Sequence, residues 1–336
     1  MTIRITLRRT LIACSLLAFV LVLAIVAMSL LGSEQLPVRA SLCAIVALGT
    51  NACSLTQDQF DILFQIRLPR ILLAAAVGGS LATAGASYQA LLRNPLAEPY
   101  LLGVSNGAAV GTMIALVFFG ANEWSRPALA FAGALIATLA VYQLARGRTG
   151  ATPERLILAG VIVTTFLSSV IVFVTTLMDA TRIRSFTFWL LGDLSGSTKT
   201  LLPLVIVIAV LGAIALTINA RSLNLLMLGE RDAFDLGVEV RRVRIVVFVV
   251  ASLLVGSSVA ASGSVGYVGL VVPHLVRLSL GSDNRISIPA AALGGALFVI
   301  VADTVARTII APRELPVGAI TALIGAPLFI YLLKRV

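Results

Sequence analysis

Apolar residues in this chain fall into long runs of the length that crosses roughly 30 Å of hydrocarbon as an α-helix. The runs cover residues 9–31, 68–91, 100–119, 127–145, 155–178, 200–219, 244–262, 267–280, 288–307 and 317–333. This pattern predicts an all-α polytopic membrane protein with ten transmembrane helices. Two shorter apolar pieces, 38–49 ("VRASLCAIVALG") and 182–192, are too short to cross, and the first is expected to lie at an interface. A β-barrel is excluded because its strands would alternate apolar and polar positions, and these runs do not. Residues 1–336 read as a single transmembrane domain.

Composition agrees: 59% of the residues are hydrophobic and only 12% are charged. The net charge of +10 does not mark a nucleic-acid surface, because the basic residues sit between the apolar runs. They concentrate at Arg4/Arg8/Arg9, Arg146/Arg148/Arg155, Arg221 to Arg244 and Lys334/Arg335. By the positive-inside rule, these ends and loops are cytoplasmic. With an even span count, both termini are then cytoplasmic. The first run is too long for a signal-peptide core and is read as a retained span. The three cysteines have no metal or redox spacing. Cys43 and Cys53 lie between runs and can pair if they face an oxidising compartment.

Small residues at 78, 82 and 86, and at Gly107 and Gly111, are spaced for close helix contact. "GGSLATAG" (78–85) is faintly echoed by "GSSVAASG" (256–263), about half a chain later. With five spans per half, such an echo predicts a weak inverted five-plus-five repeat.

Candidate chemistry is sparse. "GVSNG" (103–107) matches the nucleophile elbow G-x-S-x-G, which needs a strand before it. An intramembrane serine protease would use Ser105 as nucleophile and His274, the sole histidine, as base. The bland alternatives are a small-residue helix start at Ser105 and a histidine satisfying backbone carbonyls. "GDLSGSTKT" (192–200) lacks the glycine before lysine that a phosphate loop requires. Asp303 stands four residues before Arg307, the spacing of an ion pair on one helix face. An ion-coupled secondary transporter would carry several unpaired intramembrane carboxylates, and none is evident. No catalytic residue, metal site or cofactor is expected in this chain.

The outlier is "GERDAFDLGVEVRRVR" (229–244), with eight charged residues in sixteen. Asp232, Ala233, Asp235, Leu236 and Gly237 fit a short helix ended by glycine. Between two spans it is either a groove-fitting element for a soluble partner or a solvated loop.

"RLPRILLAAAVGGSLATAGASYQALLRNPLAEPYLLGVSNGAAVG" (67–111), "GYVGLVVPHLVRL" (266–278), "ADTVAR" (302–307) and "ELPVGAITALIGAPLFIYLL" (314–333) together resemble the FecCD-type permeases of ABC importers for iron chelates, haem and cobalamin. The resemblance implies a non-enzymatic, membrane-spanning subunit in the cytoplasmic (inner) membrane of a bacterium, most simply a homodimer. It implies two copies of a cytoplasmic ATPase and a periplasmic substrate-binding protein as partners, and a bulky metal chelate (haem, ferric siderophore or cobalamin) carried from periplasm to cytoplasm. It implies that residues 229–237, with Glu230, Arg231, Asp232, Ala233, Asp235, Leu236 and Gly237, are the coupling helix that docks into the ATPase. Arg67, Arg70 and Arg307 match positions that present arginines to the binding protein's glutamates, with Asp303 holding Arg307. Asn94 and Leu96 match one cytoplasmic gate loop. Pro153 and Glu154 stand in the second, where some relatives carry small hydroxyl residues.

Overall fold

The computed structural model describes residues 7–32, 34–47, 54–119, 124–147, 150–196 and 198–333. In chain order the helices are α1 (Leu7–Leu30), α2 (Val38–Val46), α3 (Gln57–Asp61), α4 (Leu68–Leu91), α5 (Val104–Phe118), α6 (Ser125–Ala145), α7 (Pro153–Thr175) and α8 (Ala180–Leu190). They continue with α9 (Thr198–Ile218), α10 (Ala220–Leu228), α11 (Glu230–Asp235), α12 (Val240–Ser262), α13 (Val268–Leu280), α14 (Asn284–Thr308) and α15 (Val317–Leu333). A π-helical turn, Ile62–Arg67, joins α3 to α4, and a 3-10 turn, Pro99–Leu102, precedes α5. Beside the helices, Arg146–Gly147 and Gly150–Ala151 form a minimal antiparallel hairpin, β1–β2.

A helix lies at each of the ten expected runs, and the two short pieces are the short helices α2 and α8. Among the described helices, six are long and apolar enough to cross a membrane by length and composition: those over residues 8–30, 125–145, 153–175, 201–218, 240–262 and 284–308. The chain is thus an all-helical polytopic membrane protein.

α4 forms the centre, buried along most of its length, with α14, α12, α9 and α13 packed around it. Its most extensive contact is with α14. A Cβ on Gly78 would overlap the carbonyl oxygen of Gly295, and one on Gly295 would overlap that of Gly78. Lipid provides little hydrophobic drive for helices to associate, so tight backbone packing of this kind must supply the attraction. α5 meets α6 in the same way through Gly107 and Gly133. The small-residue stripes legible in the sequence therefore lie in the two most extensive helix seams among the described residues. α4 is tied to α12 by the Tyr88 hydroxyl, which lies 2.7 Å from Ser252 Oγ and 3.2 Å from the Phe248 carbonyl oxygen. At the periphery, α1 packs on α14 but turns Leu11, Leu16 and Phe19 outward, as a lipid-facing helix must.

Cys43, in α2, is disulfide-bonded, whereas Cys14 is free. Cys53, the expected partner, lies outside the described residues.

Candidate functional site

Two polar constellations occupy opposite ends of the bundle. At the first, α4 begins and α14 ends, which brings Arg67, Arg70, Asp303 and Arg307 together. Asp303 is fully buried and uses both carboxylate oxygens: Oδ1 lies 2.9 Å from Arg70 Nη2, and Oδ2 accepts from Arg307 Nε at 3.0 Å. Arg70 Nη1 also donates to Glu314 Oε2 at 2.7 Å. The i,i+4 pair expected from the sequence is present, but Asp303 serves two arginines rather than one.

Arg67 has a different task. Its Nη1 donates to the carbonyls of Ser29 and Leu30 at 3.3 and 3.2 Å, and its Nη2 donates to the Glu34 carbonyl. The carbonyls at 29 and 30 close α1, where intrahelical donors run out and the helix dipole is negative. Arg67 thus caps α1 from the π-helical turn. All three arginines are buried, at 4%, 7% and 5% exposure. Instead of standing free on the surface, they line a cavity of about 160 Å³ together with Gly32, Glu34, Ile62, Ile66 and Glu314.

At the opposite end lie the charged stretch and both loops expected to form a gate. α10 and α11 meet at Gly229, and α11 ends in a Schellman turn. The Val238 amide donates to the Ala233 carbonyl at 2.9 Å and the Gly237 amide to that of Phe234 at 2.9 Å. Gly237 takes the left-handed conformation this turn requires, with φ +83°. The short helix and its terminal glycine therefore form where the sequence placed them. Ala233 is fully buried, whereas Phe234 and Leu236 are 71% and 61% exposed. Glu230 forms an ion pair with Arg244 at the start of α12, bracing the segment from the other side.

A node that sequence reasoning missed fixes α10. Asn224 Nδ2 donates to Asp283 Oδ1 at 2.7 Å, and Asn224 Oδ1 accepts from the Asn284 amide and Nδ2 at 2.8 and 2.9 Å. Asp283 also caps α14 by accepting from the Arg285 amide at 2.9 Å. Partial burial works to raise the Asp283 carboxyl. The Arg285 side chain and amide, with the Asn224 amide, outweigh it and hold the carboxyl below its ordinary range. Nothing local in the sequence signals this contact, because its members are about 60 residues apart.

Of the gate residues, Asn94 Oδ1 accepts from the Leu96 amide at 2.9 Å, an Asx-type turn that leaves Leu96 45% exposed. Pro153 occupies the first turn of α7 behind the Thr152 N-cap, and Glu154 follows it, exposed. Glu154 lies within electrostatic range of Arg93 in the first loop and Arg244 beside α11. The structure thus gathers both loops and the charged stretch at one end.

The hydrolase reading fails on geometry. Ser105 stands in the first turn of α5, after a 3-10 turn rather than a strand, and its hydroxyl donates to Ser264 Oγ at 3.1 Å. His274 packs edge-on against Phe329, and among the described residues its buried Nε2 has no hydrogen-bond partner, so it serves none of their backbone carbonyls through that atom. Among the described residues, no group of three or more His, Cys, Asp or Glu is placed to hold a metal.

Comparison with known proteins agrees with this architecture. A profile of the FecCD transport family matches residues 14–335. The cobalamin import system permease protein BtuC of Halobacterium salinarum is 45% identical over 270 residues, 80% of this chain and 72% of that protein. The hemin transport system permease protein HmuU of Yersinia pestis is 40% identical over 297 residues, 84% of this chain and 86% of that protein. A solved inward-facing metal-chelate type ABC transporter superposes with a TM-score of 0.84 at 31% identity, covering 96% of this chain and 99% of that one. The chain belongs to the FecCD transport family. It is a membrane permease subunit of the ABC-importer type and not an enzyme; membership implies ATPase and permease partners.

Proposed function

We propose that this chain is the membrane-spanning half of an importer that moves a bulky metal chelate, such as haem, a ferric siderophore or cobalamin, from periplasm to cytoplasm. The observation that carries this reading is α11. A six-residue helix held by buried Ala233, the Schellman turn and the Glu230–Arg244 pair extends two large apolar side chains, Phe234 and Leu236, into solvent. Exposed apolar groups on a rigid, charged support are what a soluble partner's groove takes up.

In this reading residues 229–237 couple the permease to an ATPase, and two copies of each subunit assemble around a central pathway. Ten spans with both termini cytoplasmic place α11 on the ATPase side, and an inverted five-plus-five repeat underlies the bundle. The bonded Cys43 lies on the opposite, oxidising side, which supports that orientation. Asn94, Leu96, Pro153 and Glu154 close the cytoplasmic end of the pathway. The substrate-binding protein docks at the arginine end. Because Arg67, Arg70 and Arg307 are buried, a partner's glutamate reaches them only within their cavity, where it competes with Glu314 for Arg70. Relatives named for cobalamin and for hemin support the chelate class without separating its members.

The test is ATP hydrolysis by the assembled transporter in nanodiscs, titrated with binding protein loaded with haem, ferric siderophore or cobalamin. Stimulation by one ligand, abolished by Asp235→Lys, is the expected result. Stimulation unchanged by that substitution removes Asp235 from the coupling contact.

A further inference from the structure

A second cavity at the arginine end of the bundle has no part in the transport reading. It encloses about 280 Å³ between the first turns of α6 and α9 and the last turns of α12. Trp124 and Phe131 form one wall, Leu201 and Ile208 another, and Ser257 and Ala261 of α12 form the small-residue floor. The hydroxyl of Ser257 donates to the Leu254 carbonyl of its own helix at 3.1 Å, so it offers the cavity no spare donor. From Leu201 to Ile208 the groove follows α9 for roughly 10 Å. That helix turns Leu204 and Leu211 outward at 55% and 61% exposure, so the groove lies on a lipid-facing flank.

At the mouth the chemistry changes. Trp124 is 55% exposed, the position of an interfacial aromatic. Arg126 stands in the same turn, half-buried; a Cβ on Gly196 would lie only 3.2 Å from its Nη2. Among the described residues no carboxylate pairs with Arg126. α6 and α9 both begin here, and their N-termini add partial positive charge.

We propose that this groove is a phospholipid site, with one acyl chain seated between α6, α9 and α12 and the phosphodiester held by Arg126. The walls exclude other occupants. Apart from the Trp124 indole and the Ser257 hydroxyl, which is bonded to its own helix, the lining side chains are all hydrocarbon and offer a polar solute no partner, and an extended peptide would leave its own backbone donors unpaired. A hydrocarbon chain with an anionic head satisfies both the dry groove and the guanidinium at its entrance, which pairs with no carboxylate among the described residues. The proposal depends on the membrane placement of the chain and not on what is transported.

Native mass spectrometry of the full chain tests it, after reconstitution with phosphatidylglycerol and release into maltoside detergent. The wild-type chain is expected to retain one phospholipid per chain. Ala261→Phe, which fills the floor, abolishes the adduct. Arg126→Gln weakens it roughly tenfold, the value of one charge-assisted hydrogen bond. If Ala261→Phe does not fold, Ala128→Phe at the exposed rim carries the same arm. Equal retention by wild type and variants overturns the proposal, and so do adducts of detergent mass only.

Discussion

Arg70 of α4 and Asp303 of α14 meet at 2.9 Å although 233 positions separate them in the chain. The contact closes one end of the α4–α14 seam, the most extensive among the described helices, beyond the Gly78–Gly295 crossing. The shared carboxylate keeps Arg70 and Arg307 from repelling each other in a buried site. Removing one member of such a group leaves an uncompensated charge, which costs about 3–5 kcal/mol. Asp303→Asn is therefore expected to lower the denaturation midpoint in detergent substantially. Glu314→Gln should cost less than about 1 kcal/mol, because the Glu314 side chain is 44% exposed and screened. Equal effects from the two substitutions would show that Asp303 is not the keystone.

The Schellman turn after α11 makes a prediction about backbone alone. A Cβ on Gly237 meets nothing within 4 Å, so Gly237→Ala brings no clash. It brings only the strain of a left-handed alanine, about 1–2 kcal/mol. Gly237→Asn should recover much of that loss, because asparagine tolerates this conformation. Protease accessibility of the 229–240 segment reads both. A loss for alanine that asparagine does not recover would place the role of Gly237 elsewhere.

Asn224 ties the helix before α11 to the α13–α14 turn through Asp283 and Asn284. Asn224→Leu keeps the volume and removes the hydrogen bonds. If motion of α11 passes into the bundle through this node, chelate imported per ATP hydrolysed should fall by roughly tenfold, within the usual range of coupling energies. Asn224→Gln, with the same amide on a longer arm, should recover part of the loss. A ratio unchanged in both variants means the node only stabilises the fold.

Glu98 provides a pH test. Its carboxylate, partly buried between α4 and α5, accepts from the Tyr267 amide at 3.1 Å. Burial raises its pKa above the ordinary value of 4.5, and the Tyr267 hydrogen bond only partly offsets this. The native state thus binds more protons than the unfolded chain just above pH 4.5, so stability should decline as pH rises through that window and then level off. Glu98→Gln removes this slope. An unfolding midpoint with the same pH slope in both proteins would assign it to another group.

How much of this was legible in the sequence depends on range. The ten helical runs and the glycine stripes are local signals, set by hydrophobic length and by small residues one turn apart. The Asp303–Arg307 pair and the α11 helix are local too, and the structure contains both. What the sequence did not disclose is non-local. Arg70–Asp303, Asn224–Asp283 and Glu230–Arg244 depend on which helices cross, and no periodicity reports that. The arginines mark the boundary: their place at the span ends was readable, but their burial was not. It follows from the capping of α1 by Arg67 and from the double use of Asp303.

Under the proposed function, ATP hydrolysis on a partner, coupled through α11, drives chelate into the cell. The direct measurement is uptake of labelled cobalamin and of haem by proteoliposomes holding this chain with its ATPase and binding protein. If that coupling holds, one of them accumulates in a manner that needs internal ATP, persists with an ionophore, and is lost in Phe234→Asp. Uptake that proceeds without the ATPase and collapses with the ionophore would contradict it and make the chain an ion-coupled carrier.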